Sequence, residues 1–266
     1  MLYFVFADTH GDYEAFSNFI RESGYDRLNT NHQLIGLGDY FGRASQSLTD
    51  SKNMWEYLST VEHINPPVCL KGNHEQILID AIDRGWLTPT DIYNGELETF
   101  ASFGKVYAGQ LQQHPTEQTK ITEEMRKCGF YDWLVSLPSY HITNNCIYVH
   151  GFLPHQGNIE HEPFVVEQNQ LAKLPQWLWD AAAWSRTIND VHQWKRDYPN
   201  GIGKWIVFGH WRASQLITKT FGEPAEDGEP FVDNDSKLVG LDYTTVLSRK
   251  VGWAIFDDNG FLKQLG

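Results

Sequence analysis

The sequence predicts an α/β fold, and three observations carry that reading. Short apolar runs with an extended look alternate with segments whose apolar residues recur at helical spacing, the rhythm of parallel α/β units. The first run, Leu2–Ala7, is apolar throughout, as a strand covered on both faces would be. Third, five apolar runs end in a metal-ligand residue beside a small one. These are Asp8-Thr9-His10-Gly11-Asp12, Gly38-Asp39, Gly72-Asn73-His74-Glu75, His150-Gly151 and Gly209-His210. Open α/β sheets carry their chemistry at the carboxyl ends of strands, so the repetition points to one shared site.

Taken in order, Leu2–Ala7 is the first strand. Tyr13–Glu22 follows as a helix, with Phe16, Phe19 and Ile20 on one face. Gln33–Leu37 is the second strand, Asp50–Ser59 a helix through Met54, Trp55 and Leu58, and Pro67–Lys71 the third strand. A helix from Glu75 carries Ile77, Leu78, Ile79 and Ile82 and stops near Arg84, where Gly85 ends it. From Trp86 to Lys127 the rhythm breaks into a polar stretch with scattered aromatics. We read 86–127 as a helical insertion, either a cap over the strand ends or a peripheral elaboration with no substrate role. Phe130–Ser136 is helical, and Tyr140–Thr143 and Cys146–Val149 form a hairpin turning at Asn144-Asn145. Phe152–Asn200 reads as irregular, its tryptophans Trp177, Trp179, Trp184 and Trp194 serving mostly as packing. Trp205–Phe208 is a strand, Glu223–Asp235 a polar loop, and Lys237–Leu247 with Val251–Phe256 a closing pair of strands. No repeat or long linker divides the chain, so 1–266 is expected to be one domain with the 86–127 insertion inside it.

At 266 residues and 41% apolar, the chain can bury a sizeable core. A formal net charge of -13 argues against nucleic acid or an anionic membrane as partner. Cys69, Cys128 and Cys146 lie far apart, which reads as free thiols in a reducing, cytoplasmic setting rather than a disulfide frame. The opening Met1–Ala7 lacks a basic n-region and runs straight into Asp8-Thr9-His10, so it is a strand and not a signal peptide. No apolar run approaches membrane-spanning length.

Asp8, His10, Asp39, Asn73, His150 and His210 form a mixed set of carboxylate, imidazole and amide donors. Such a set suits Mn, Fe, Zn or Mg better than a thiolate-selecting metal. Six ligands exceed what one tetrahedral ion needs, so two ions sharing a bridging carboxylate is the economical arrangement. A metal pair about 3.5–4 Å apart acidifies a bridging water and clamps phosphoryl oxygens during in-line displacement. The neutral Asn73 completes a shell without adding charge that would repel phosphate.

The order Asp-x-His-Gly-Asp, Gly-Asp-x-x-x-Arg, Gly-Asn-His-Glu, Val-His-Gly, Phe-Gly-His resembles the calcineurin-like metallophosphoesterases, from Tyr3 to about Phe256. Within them it is similar to phage- and bacterial-type Ser/Thr phosphoprotein phosphatases and to symmetrical dinucleoside tetraphosphate hydrolases. The resemblance implies a four-layer α/β/β/α sandwich with the metal site at one edge of the sheets. It implies Asp8 and His10 on one ion, Asp39 bridging, and Asn73, His150 and His210 on the other, manganese being the first choice of metal. His74 would be the general acid, and Arg43 and Arg186 would clamp phosphate oxygens, a task that suits the planar Arg fork. Asp242, in Leu241-Asp242-Tyr243, would hydrogen-bond a metal-bound histidine or a nearby loop. His114, His141, His155, His161 and His192 fall outside the motifs and carry no assigned role.

The sequence also departs from the family pattern. Ala7 stands where a Gly is usual, and Trp211-Arg212 after His210 excludes the second His of the family's DNA-repair nucleases. Gly42 stands where the phosphatases carry an Asp that supports the catalytic His. Without it His74 is expected to be a poorer acid unless another carboxylate substitutes. Tetraphosphate hydrolases also lack that Asp, whereas Glu75, where those hydrolases carry Asp, points back to the protein phosphatases. The expectation is therefore an enzyme, a dinuclear-metal phosphatase acting on phosphomonoesters by direct attack of metal-bound hydroxide. Its substrate would be phosphoprotein first and a dinucleoside polyphosphate second, and a metal-binding interaction module with decayed catalysis stands as the rival from another class.

Overall fold

The computed structural model describes residues 1–43, 50–112, 114–156, 162–185 and 187–266. β1 (Leu2–Ala7), α1 (Tyr13–Ser23), β2 (His32–Gly36), α2 (Asp50–Ser59), β3 (Val68–Cys69) and α3 (Asn73–Arg84) follow the expected alternation. Local chemistry sets the helix ends. The Asp12 carboxylate accepts the Ala15 N–H at 2.9 Å to cap α1, which closes on left-handed Gly24. Left-handed Gly85 ends α3.

The 86–127 segment folds as α4 (Pro89–Tyr93), α5 (Glu96–Gly104), α6 (Ala108–Leu111) and α7 (Pro115–Lys127), and α8 (Phe130–Ser136) follows. Its apolar residues Leu97, Phe100, Phe103, Ile121 and Met125 pack into the same core as Phe4, Phe16, Trp55 and Leu78. The segment therefore extends the helical layer outside the first sheet, with the N-terminus of α5 reaching the strand ends. β4 (Tyr140–Ile142) and β5 (Cys146–Val149) form the expected hairpin, closed by the Thr143 N–H donating to Cys146 O at 2.9 Å.

The stretch after β5 is more regular than its sequence suggests. It forms α9 (Gln168–Leu171), α10 (Gln176–Ala183) and α11 (Thr187–Asp197) before β6 (Trp205–Phe208) and α12 (Ala213–Phe221). Trp179 and Trp194 are buried as packing residues, whereas Trp177 and Trp184 are exposed. The expected polar loop at 223–235 contains β7 (Phe231–Asp233). The expected closing pair of strands is a correction. The first candidate shrinks to β8 (Leu238–Gly240), and 245–248 instead forms a short helical turn, α13 (Thr245–Ser248). The second, β9 (Gly252–Asp257), does not pair with β8 and is followed by β10 (Leu262–Leu265). Both strands are apolar, and apolar patterning does not say which sheet each one joins.

Two five-stranded sheets result, in the orders β10-β9-β1-β2-β3 and β4-β5-β6-β8-β7. The pairs β1·β2, β2·β3, β5·β6 and β6·β8 are parallel; β1·β9, β9·β10, β4·β5 and β7·β8 are antiparallel. Val5, Ala7, Ile35 and Ala254 of the first sheet, with Leu37 just after β2, meet Tyr148, Val207 and Val239 of the second, with Leu241 just after β8, in an apolar core between the sheets. Helices cover both outer faces through two further cores, which gives the four-layer sandwich. β5, β6 and β8 are buried throughout, as are the carboxyl halves of β1 and β2, so their apolar runs follow from parallel packing. Their carboxyl ends come together at one edge. No helix among the described residues is long and apolar enough to cross a membrane.

Candidate metal centre

Each strand end hands one or two donors to this edge. Asp8 and His10 leave β1, Asp39 follows β2, Asn73 and His74 open α3, His150 follows β5, and His210 follows β6. The chain turns sharply to present them. Asp8 (φ +51°), His10 (+47°), Asp39 (+54°), Arg43 (+54°) and His210 (+66°) all adopt left-handed backbone that side chains other than Gly rarely take. Each such residue costs about 1–3 kcal/mol, a strain that concentrates at functional sites.

Hydrogen bonds over-determine these turns. The His10 N–H donates to Asp39 O and the Asp8 N–H to Gly38 O, which ties the β1 loop to the β2 loop. The Gly209 N–H donates to His150 O, and the His210 N–H donates to both Asp8 carboxylate oxygens at 3.0 Å. Fully buried Glu75 accepts the N–H groups of Asp39 (2.8 Å), Tyr40 (2.9 Å) and Gly72 (2.8 Å). Glu75 thus faces inward and clamps the loops after β2 and β3.

Asp39 lies at the centre. His10, Asp39 and His74 offer donor atoms within 4.8 Å of one another, and so do Asp39, His150 and His210. His150 Nε2 lies 3.3 Å from Asp39 Oδ1 and 2.9 Å from Asn73 Oδ1. His150 Nδ1 sits 3.0 Å from Leu37 O and His10 Nδ1 3.3 Å from Phe41 O, contacts that leave each Nε2 facing the cluster. Asp8 is turned toward the β6 end, against Gly209, where a Cβ would come within 2.1 Å of its Oδ2.

The electrostatics fit a pair of cations. Asp8, Asp39 and Asp242 are buried, and among the described residues none forms an ion pair with Lys or Arg. Burial, then the neighbouring Asp242 and Asp39, push the Asp8 carboxyl well above its usual range. Burial likewise pushes Asp242 up to about 6, although its carboxylate accepts the Thr244 N–H at 2.8 Å. For Asp39 burial also works upward, but the imidazoles of His150, His74, His10 and His210 outweigh it and hold the carboxyl low. Burial drives His10 and His210 down to about 3, with His74 and His150 respectively adding to the effect, so both are neutral lone-pair donors at neutral pH. Clustered buried anions beside neutral imidazoles are what a cation site requires.

His74 differs from the other imidazoles. Its Nδ1–H donates to Glu96 Oε1 at 2.7 Å, both side chains being buried, while its Nε2 lies 3.9 Å from Asp39 Oδ2. Burial works against the imidazolium, but Asp39 and Glu96 prevail and raise His74 to about 9. Glu96 itself is pushed up to about 7 by burial, opposed by His74. The sequence reading lacked Glu96. The one signal for it was the missing carboxylate at Gly42, which calls for a substitute without saying where it lies. Arg43 stands exposed at the rim, its N–H donating to Asn94 O at 3.1 Å. Arg186, the second expected clamp, lies outside the described residues.

A family model described as calcineurin-like phosphoesterase matches residues 1–239. No curated protein sequence matches the chain significantly. Among solved structures, a protein described as a diadenosine tetraphosphatase aligns over 100% of this chain and 93% of its own, with TM-score 0.50 and 15% identity. A serine/threonine phosphatase from Saccharomyces cerevisiae with similarity to human phosphatase PP5 aligns over 91% and 67%, with TM-score 0.53 and 15% identity. A cold-active protein tyrosine phosphatase aligns over 98% and 78%, with TM-score 0.55 and 13% identity. At these identities the likeness is one of fold.

Proposed function

The chain belongs to the calcineurin-like phosphoesterase family, metal-dependent phosphoric ester hydrolases, and from that premise we propose that it hydrolyses phosphomonoesters with alkoxide leaving groups. Phosphoserine and phosphothreonine in proteins come first among them. The observation that carries this reading is the buried His74–Glu96 pair. An alkoxide is a poor leaving group and needs a proton as the P–O bond breaks. A nucleoside polyphosphate leaves as a stabilised anion and needs one far less. A site that invests a buried carboxylate in keeping an imidazole protonated is suited to the first task.

Asp8, His10, Asp39, Asn73, His150 and His210 would hold two divalent ions, Mn²⁺ first, with Asp39 shared between them. Bound there, such a pair supplies Lewis-acid polarisation of the phosphoryl group and a water acidic enough to be a nucleophile at neutral pH. His74 carries the proton on Nε2, the nitrogen not engaged by Glu96, and gives it to the departing oxygen. Arg43 meets phosphate oxygens with its planar fork from the rim. Asp242 holds the loop after β8 through the Thr244 N–H, against the buried Asp8. The free buried thiols of Cys69 and Cys146 support a cytoplasmic setting.

The test is metal-stripped protein titrated with Mn²⁺ and assayed on p-nitrophenyl phosphate, a phosphothreonine peptide and diadenosine tetraphosphate. Turnover of the peptide within about tenfold of the aryl ester supports the proposal, since acid assistance of roughly 10²–10⁴-fold is what closes the gap between the two leaving groups. A strong preference for the tetraphosphate would replace it with the nucleotide reading.

A further inference from the structure

Two glycines bring the first turn of α5 against the loop after β2. Gly42 (φ +77°) and Gly95 (φ +87°) are both left-handed. A Cβ on Gly95 would lie 2.0 Å from Arg43 N, and a Cβ on Gly42 would lie 2.3 Å from His74 Nδ1 and 2.8 Å from Glu96 Oε1. Hydrogen bonds stitch the same contact: the Gly42 N–H donates to Thr99 Oγ1 at 3.1 Å and the Arg43 N–H to Asn94 O at 3.1 Å. Glu96, the first residue of α5, thereby enters the space left by the missing side chain at Gly42. Its Oε1 accepts from His74 Nδ1, and its Oε2 has no partner among the described residues. A buried carboxylate with an idle oxygen is costly unless its charge is used.

We infer that Glu96 is the positioning carboxylate of His74, delivered from the 86–127 segment through the opening at Gly42 in place of the loop Asp that the resemblance leads one to expect. Glu96 touches no substrate. It fixes the His74 ring with Nδ1 inward and Nε2 toward the metal donors. The inference rests on the general-acid reading of His74 for its kinetic consequence, and on geometry alone for the hydrogen bond.

The experiment compares wild type with Glu96→Gln, Glu96→Asp, His74→Asn and the Glu96→Gln/His74→Asn double variant, all loaded with Mn²⁺ and checked for metal content. Substrates are a phosphothreonine peptide and p-nitrophenyl phosphate. Gln keeps the shape and one acceptor but removes the charge. Glu96→Gln is expected to lower kcat on the peptide by about 10–100-fold, the usual effect of a supporting partner, with metal content unchanged and the aryl ester nearly spared. Glu96→Asp should recover part of the loss, and Glu96→Gln should add nothing once His74 is Asn. An equal fall on both substrates, no fall on either, or a further loss in the His74→Asn background would overturn the inference. Nitrogen-15 imidazole spectra of metal-free protein, with His74 assigned by its absence in His74→Asn, separate the two readings. A protonated Nδ1 that is perturbed by Glu96→Gln, in an enzyme where His74→Asn spares the peptide rate, keeps the positioning and sinks the acid. A His74 signal indifferent to Glu96→Gln sinks the positioning itself.

Discussion

Replacing Gly42 by Ala tests the core of this site with a single methyl group. The new Cβ would sit 2.3 Å from His74 Nδ1 and 2.8 Å from Glu96 Oε1, both inside any tolerated contact distance. The left-handed backbone at Gly42 adds about 1–2 kcal/mol for any residue with a Cβ. Forcing a buried charged pair apart adds about 3–5 kcal/mol more. The expected loss is therefore roughly 4–7 kcal/mol if the pair separates, close to the whole stability of a marginal domain. Gly24→Ala is the control, because Gly24 is equally left-handed (φ +72°) but has nothing within 4 Å of its would-be Cβ. It should cost only the backbone term, about 1–2 kcal/mol. Urea unfolding of the two Mn²⁺-loaded variants reads the difference, and the leaving-group ratio reads the site. Gly42→Ala should lose about 10²–10⁴-fold on a phosphothreonine peptide and much less on p-nitrophenyl phosphate. Equal stability losses in the two variants, with peptide turnover retained in Gly42→Ala, would refute the packing described around His74.

The other outcomes follow from single contacts. Asp39→Asn should lose bound metal and activity together, because Asp39 is common to both donor groups; metal analysis after gel filtration checks it. Glu75→Gln presents an NH₂ to backbone donors where a carboxylate accepted three N–H groups, and should cost about 1–3 kcal/mol for each donor stranded, read as a shift in the urea midpoint. The peptide rate should fall on the alkaline side as His74 gives up the proton it donates, and this limb should be absent in His74→Asn. The same proton has a stability consequence. His74 is raised above its ordinary 6.5, so its contribution is complete below that pH and is lost as pH rises through about 9, which unfolding midpoints of metal-free wild type and His74→Asn would show.

Much of the fold was legible because it follows from local rules. Leu2–Ala7, Leu34–Leu37 and Trp205–Phe208 are apolar on both faces, and helices packed outside parallel strands demand that. Asp12, Gly24 and Gly85 mark helix ends through caps whose chemistry is independent of context. Pairing across sheets is a different matter. Only eleven residues separate the end of β8 from the start of β9, yet each finds its partners in a different sheet, β8 beside β6 and β9 beside β1. Periodicity cannot encode that choice. Nor could it show that 86–127 would share a core with α1 and α3, since the segment's aromatics are spaced irregularly and the burial of Phe103 depends on ring contacts with Trp55 and Phe130.

The candidate metal donors that the structure gathers at one edge were legible for a reason that does not extend to their surroundings. A ligand must stand at a strand end beside a small residue, and that constraint prints itself as a short motif: Asp8 with His10, Asp39 after Gly38, His210 after Gly209. A supporting carboxylate has only to bring one oxygen to Nδ1 of His74, and any element that can approach will serve. In this chain it comes from the first turn of α5, twenty-two residues after His74. The absence of a side chain at Gly42 and the presence of Glu96 are thus two halves of one arrangement, and neither half is interpretable alone. Gly42 alone reads as a lost function, and Glu96 alone reads as an ordinary acidic residue in a helix's first turn. Together they set a carboxylate against Nδ1 of His74 and, on the proposed reading, move the support of the acid from the metal-binding loop to the helical layer outside the first sheet. Changes in the 86–127 segment that shift α5 should therefore act on leaving-group dependence before they act on metal binding.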